Sequence, residues 1–156
     1  MRKFFLIFTL FISTVLFAGP NDDLLEAARQ GDVEKIKTAL NAGADVNYEM
    51  PGPGITAIFL AAQGGHVEAV KLLIKMKADV NGMEKMDGRT VLIISSQNGH
   101  PEVVELLIKA GAKINMKDYN GHTALGMAEF IATDADGELA ARIQKVITIL
   151  KKAGAK

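Results

Sequence analysis

Cysteine and tryptophan are both missing from this chain of 156 residues. The first absence excludes disulfides, Cys-ligated zinc or iron–sulfur centres, a thiol nucleophile and a lipidated cysteine. An excess of one charge is missing too: 18 Lys+Arg face 18 Asp+Glu, a formal net charge of +0. That balance argues against a nucleic-acid partner recognised through a cationic excess. No HExxH, GxSxG or phosphate-cradling glycine loop occurs, so the sequence names no catalytic residue and implies no cofactor. Aromatics are few and unevenly placed. Five of the seven Phe (Phe4, Phe5, Phe8, Phe11, Phe17) precede residue 18, leaving Phe59, Phe130, Tyr48 and Tyr119 for the rest. What remains is 49% hydrophobic and 23% charged, a composition that folds, at a length that suits one domain.

The first residues form a unit of their own. Arg2 and Lys3 precede an uncharged stretch from Phe4 to Ala18, which Gly19, Pro20 and Asn21 break. A spanning helix needs about 20 apolar residues, and this stretch is shorter. The order of basic start, apolar run and small residue is that of a secretory signal peptide over residues 1–18, with cleavage expected after Ala18. The expectation is an exported protein, periplasmic or secreted, without stable membrane insertion once the signal is removed. Loss of Arg2 and Lys3 leaves 16 basic against 18 acidic residues, a net of −2.

From there the chain repeats itself. Ala44-Asp-Val-Asn47 recurs as Ala78-Asp-Val-Asn81 and Ala112-Lys-Ile-Asn115, each Asn 34 residues from the last. Gly54-Ile-Thr56, Gly88-Arg-Thr90 and Gly121-His-Thr123 form a second series, with Thr spacings of 34 and 33. A third joins Gly65-His66-Val-Glu68 to Gly99-His100-Pro-Glu102, with Gly31-Asp32-Val-Glu34 in the same place earlier. Three markers in fixed order at one period define a repeat array.

One unit reads as two short helices and a loop. Thr90 caps a helix over 91–98, and Ser95 and Ser96 leave room for a neighbouring helix. Gly99 ends that helix and Pro101 opens the next, whose apolar side is Val103, Val104, Leu106, Leu107 and Ile108. Glu102, Glu105 and Lys109 face water, and Gly111 stops the second helix. Such a unit cannot bury its own apolar faces; stacked copies can.

These stretches resemble the ankyrin-repeat family. The resemblance lies in Gly54-Ile-Thr-Ala-Ile-Phe-Leu-Ala-Ala62 with Gly65-His-Val-Glu-Ala-Val-Lys-Leu-Leu-Ile74, and in the corresponding segments from Gly88 and Gly99. It implies an all-α solenoid of stacked helix-turn-helix units with projecting finger loops, about four repeats including caps. The units are a capping repeat over about 22–47, repeats over 48–81 and 82–115, and an extended capping repeat over 116–156, all within a domain of residues 19–156. The family's Thr-Pro-Leu-His tetrad is altered to Thr56-Ala-Ile-Phe59, Thr90-Val-Leu-Ile93 and Thr123-Ala-Leu-Gly126. Its Pro and His are absent, which predicts looser turns and lower stability than a consensus array. From Asn to the next Thr the spacing is 9, 9 and 8, so the first two fingers carry an extra residue. Pro51-Gly52-Pro53-Gly54 cannot form a regular hairpin strand. The first helix is expected to begin near Asp22 or Asp23. Asp136 is expected to cap a longer closing helix with Leu139, Ile143, Val146, Ile147 and Leu150 on one stripe.

The resemblance further implies a protein partner docked on the finger tips and inner helices. By position that surface comprises Tyr48, Met50, Met83, Lys85, Met86, Asp87, Arg89, Met116, Lys117, Asp118, Tyr119, Asn120 and His122 on the fingers, with Gln63, Gln97 and Asn98 on the helices. Glu49 and Glu84 share the loops, and Tyr48 and Tyr119 are the aromatic anchors. His66 and His100, at one repeat position, are read as contacts between neighbouring units, and His122 as a surface residue. A monomer is expected, accessory to an envelope enzyme or acting as an inhibitor or immunity partner. The alternative is copper or redox handling by Met50, Met83, Met86 and Met116, because thioethers ligate Cu(I). Calcium at Asp134-Ala-Asp136-Gly137-Glu138 is disfavoured, since the further carboxylates of a full loop are missing.

Overall fold

The computed structural model describes residues 19–156, so the proposed signal peptide over 1–18 lies outside the described residues. Eight helices follow in order among them: α1 (Pro20–Gln30), α2 (Val33–Asn41), α3 (Ala57–Gln63), α4 (Val67–Lys75), α5 (Val91–Gln97), α6 (Pro101–Lys109), α7 (Ala124–Ala132) and α8 (Gly137–Lys152). The odd-numbered helices pack side by side as an inner row, and the even-numbered ones as an outer row behind it. Each inner helix also packs on the outer helix of its own unit. The all-α repeat solenoid expected from the sequence is what the chain forms.

Patterning decides which faces meet. In α6, Val103, Val104 and Leu107 are fully buried, while Glu102, Glu105 and Lys109 are exposed. Ser95 and Ser96 are both 0% exposed, and the Ser95 hydroxyl donates back to the Leu92 carbonyl at 3.1 Å. The small side chains let α5 sit between α3 and α7 at close range. The Thr series supplies helix caps: Thr90 Oγ1 accepts from the Ile93 N–H at 3.1 Å, and Thr123 Oγ1 from the Gly126 N–H at 3.2 Å. Thr56 holds the same position without a side-chain bond.

Two ladders of side chains join the units. His66 Nε2 lies 3.0 Å from the Arg29 carbonyl, and His100 Nε2 lies 3.0 Å from the Gln63 carbonyl. A carbonyl only accepts, so Nε2 carries the proton in both rings. Each ring lies against the glycine that ends the preceding inner helix. A Cβ on Gly31 or Gly65 would stand 2.5 Å from the ring atoms of His66 or His100. In the last unit apolar atoms replace the ring, with Leu139 and Ile143 against Gly99. The asparagines form the second ladder. Asn47 Oδ1 accepts from the Asp79 N–H and Asn81 Oδ1 from the Lys113 N–H, both at 2.8 Å. Asn21 extends it backward to the Asp45 N–H at 2.8 Å, and Asn115 forward to the Lys156 N–H at 2.9 Å. Satisfying one outward-turning backbone amide per unit is the physical content of the Asn series.

Two expectations about the ends need correction. The first helix begins at Pro20, ahead of Asp22, because Pro suits the first helical position and the Asp22 carboxylate accepts from the Gly19 N–H at 3.2 Å. Asp136 occupies the N-cap position of α8 with extended backbone, yet its side chain makes no cap bond. The closing stripe forms as expected: Ile143, Val146 and Leu150 are 0% exposed and Ile147 is 8% exposed.

Candidate protein-docking surface

Each finger closes on a backbone bond. The Met50 N–H donates to the Ile55 carbonyl at 2.8 Å, the Glu84 N–H to Arg89 at 3.1 Å, and the Asp118 N–H to His122 at 3.0 Å. The third bond spans one residue fewer, which is where the shorter Asn-to-Thr spacing arises. A buried carboxylate shapes the second finger. Glu84, 2% exposed, accepts from the N–H groups of Met86 at 2.7 Å, Asp87 at 2.9 Å and Arg89 at 3.0 Å. Asp118, 6% exposed, does the same in the third, with the Asn120 N–H at 2.9 Å, the His122 N–H at 2.8 Å and His122 Nδ1 at 3.2 Å. Burial pushes both carboxyls upward; hydrogen bonds to Arg89 for Glu84, and to His122 for Asp118, outweigh it and hold both below the usual range. The first finger has Met50 in that place, and its Pro-Gly turn is closed by the Gly54 N–H on the Met50 carbonyl at 2.9 Å.

Neighbouring fingers are laced at equivalent positions. The Lys85 N–H donates to the Pro53 carbonyl at 2.7 Å, and the Lys85 stem lies over Gly54. The Lys85 ammonium pairs with Glu49 of the first finger. One unit later the Tyr119 N–H donates to the Asp87 carbonyl at 2.8 Å and the Tyr119 ring lies over Gly88. A Cβ on either glycine would fall within 3.0 Å of that side chain. The fingers therefore stand as one connected surface.

The expected docking residues divide into three groups. Met86 (70% exposed) projects, and Tyr119 is 66% exposed with its ring against Gly88; Lys85, Asp87, Lys117, Asn120 and His122 are exposed beside them. Met83, Arg89 and Met116 are half-buried. Arg89 lies 3.1 Å from Asp87 and 3.5 Å from Glu84. Tyr48 and Met50 are half-buried and pack against the core. Tyr48 is thus not the free anchor expected of it, and Met50 fills space. Asp118 is turned inward; its carboxylate is spent on the loop, so it shapes the surface from beneath. On the helices Gln63 is exposed, Gln97 is half-buried, and Asn98 Nδ2 donates to the Gln63 carbonyl at 3.1 Å.

One residue was missed. Counting seven residues on from Thr56, Thr90 and Thr123 gives Gln63, Gln97 and Phe130. Phe130 is 67% exposed at the end of the inner-row helix α7, in line with the two glutamines. The Thr register alone could have found it. Among the described residues, no group of three His, Cys, Asp or Glu is placed to hold a metal ion. No helix there is long and apolar enough to cross a membrane. A cleft of about 470 Å³ lies between α6 and α8, on the row behind the fingers. Its polar lining, including Glu102, Glu105, Gln144 and Lys145, contains no histidine or cysteine.

The model of a family described as ankyrin repeats (3 copies) matches residues 24–118 and 79–129. No curated protein matches the chain.

Proposed function

The chain belongs to the ankyrin-repeat family, whose members mediate protein–protein interaction and are typically non-catalytic, and we propose that it is an exported binding module of this kind. It holds another protein through the finger tips and the inner helices. One observation carries this reading. Of the four large apolar side chains left exposed among the described residues, Met86, Tyr119 and Phe130 lie on the fingers and inner row; only Met76 lies elsewhere. Exposed aromatics on a scaffold that could have hidden them mark a contact surface. Mixed charge around them (Lys85, Asp87, Arg89, Lys117) suits a protein rather than a polyanion.

The basic start and apolar run before Gly19 support export to a bacterial periplasm, where the protein acts as a monomer. Its partner there is an envelope enzyme that it assists, or a toxin that it neutralises. Affinity capture from the envelope fraction, with mass-spectrometric identification, tests the reading. A stoichiometric partner is expected, lost when Tyr119→Ala, Met86→Ala and Phe130→Ala are combined. Retention of that partner by the triple variant overturns the assignment of the surface. The mass of the exported protein tests the leader: loss of residues 1–18 is expected, and an intact N-terminus would count against cleavage.

A further inference from the structure

We propose that the edge where the outer helices end is a seat on an anionic lipid bilayer. Five lysines there meet the phosphates, and Met76 enters the boundary between headgroups and acyl chains. The edge is a row of turns held side by side by the Asn ladder. Asn47 Nδ2 donates to the Lys77 carbonyl at 3.4 Å while its Oδ1 accepts from the Asp79 N–H. Asn81 does the same one unit later, with the Gly111 carbonyl at 3.5 Å and the Lys113 N–H. Asn115 holds the turn after α8 through the Lys156 N–H. Lys75, Lys109 and Lys152 are the last residues of α4, α6 and α8, which lead into this row.

A lysine that ends a helix needs no ligand, because it offsets the helix dipole. Met76, Lys77 and Lys113 have no such reason, and the chain's own repeats show what their positions require. Met76 stands where Ala42 and Ala110 stand, Lys77 where Gly43 and Gly111 stand, and Lys113 where Asp45 and Asp79 stand, at steps of 34 residues. Gly43 and Gly111 have φ of 96° and 91°; Lys77 takes φ of 70° in the same turn, a conformation that disfavours a side chain. Asp45 and Asp79 accept from the Asn47 and Asn81 N–H groups at 2.9 and 2.8 Å, a bond that Lys113 cannot make. Met76 is 43% exposed. Each departure adds a cation or exposed apolar surface to one edge, and both lysines work against the local fold.

The side chains select the occupant. Lys75, Lys77, Lys113 and Lys152 are exposed and make no ion pair among the described residues, and Lys109 reaches Glu105 only at 3.9 Å. Asp79, the carboxylate among these turns, is engaged by the Asn81 N–H. All five cations are lysines. Arginine, which suits forked contacts with the carboxylates of a protein partner, is absent from the edge. A row of hydrated point charges fits a diffuse field of lipid phosphates. Met76, set between Lys75 and Lys77, has no task on a nucleic-acid backbone but suits the lipid boundary. The contact is peripheral and uses no finger residue, so it leaves Met86 and Tyr119 to a protein partner.

The probe is a vesicle of equimolar phosphatidylcholine and phosphatidylglycerol, compared with phosphatidylcholine alone. The protein is expected to sediment with the anionic vesicles only, and to be released in about 1 M NaCl, where the Debye length falls to about 3 Å. Met76→Ala, Lys77→Gly and Lys113→Asp each restore the residue of the sister repeats and so keep the fold. Lys77→Gly should weaken vesicle binding about fivefold and Lys113→Asp about twentyfold. Met76→Ala should weaken it severalfold. Lys145→Gln, which removes an exposed lysine from the middle of α8, is the control and should bind nearly as the unsubstituted protein does. Because the chain has no cysteine, a polarity-sensitive dye can be placed at single positions. On Met76→Cys its emission should shift to the blue with anionic vesicles; on Met86→Cys it should not. Absence of vesicle binding, equal weakening by Lys77→Gly and Lys145→Gln, or a shift at Met86→Cys without one at Met76→Cys would overturn the seat. Retention on polyglutamate without vesicle binding would overturn it in favour of an acidic protein. None of these results touches capture of a partner through the fingers.

Discussion

His100 shows how much one side chain can hold. Its ring spans from the start of α6 to the Gln63 carbonyl of the preceding unit and lies against Gly65. Burial lowers its pKa, outweighing the opposite pull of the Gln63 carbonyl. The unfolded chain therefore takes up the proton first, and stability is expected to fall as pH drops below about 6.5. His100→Ala should cost about 1–3 kcal/mol and flatten that stretch of the curve, as urea unfolding at pH 7.5 and pH 5.5 would measure. A variant keeping the full slope would refute the assignment. Glu84 acts at lower pH with the same sign. Its folded pKa is depressed, so its contribution is complete above the unfolded value and is lost as pH falls below about 4. Glu84→Gln should destabilise by about 1–3 kcal/mol at pH 7, since an amide NH₂ would face backbone N–H donors. The deficit should shrink at pH 3; an unchanged deficit would show that charge is not what Glu84 contributes.

At the scale of the element, helix starts are the weak points. Ala57 is the first residue of α3, and the Thr56 cap before it makes no side-chain bond. Thr56 sits at φ −106° and ψ 165°, the extended region that a following proline demands. Ala57→Pro, which restores the residue the family uses there, should raise stability by about 0.5–1 kcal/mol through the unfolded state. A lower thermal midpoint would mean that the ring does not fit the buried site. The closing helix makes the opposite case. Ile143 is 0% exposed and lies against Gly99, doing with methyl groups what histidine does in the two middle units. Ile143→Ala should cost about 2–5 kcal/mol, whereas Gln144→Ala, beside it on the exposed face, should be nearly neutral. Equal costs in denaturant titration would argue that α8 does not seal the array.

At the scale of the molecule, stability is shared between neighbours, since each unit touches only the next. That arrangement frees the fingers and inner helices to vary in side-chain identity without loss of fold, which is how one repeat scaffold can carry different contact surfaces. The solenoid was largely legible in advance, because period, helix stops and apolar faces are local properties that agree with one another. Which finger residues stay exposed was legible only in part. Position within a repeat told which residues lie on fingers, and Met86 and Tyr119 were found that way. It did not reveal that Asp118 turns inward or that Tyr48 packs on the core, because both depend on where backbone amides and apolar surface lie in three dimensions. Phe130 shares the register position of Gln63 and Gln97 but escaped notice because an apolar residue on a helix reads as core.

By itself, then, the sequence determined the repeat, its period, the helices and their buried faces. Each follows from residue spacing acting over a single helical turn or a single unit, where propensity and hydrophobic patterning suffice. Only the tertiary structure decided which finger residues remain free. The lacing of Lys85 over Gly54 and of Tyr119 over Gly88 joins residues about thirty positions apart. Whether a backbone carbonyl is covered is settled by what the next unit places over it, and no local pattern within one unit contains that information.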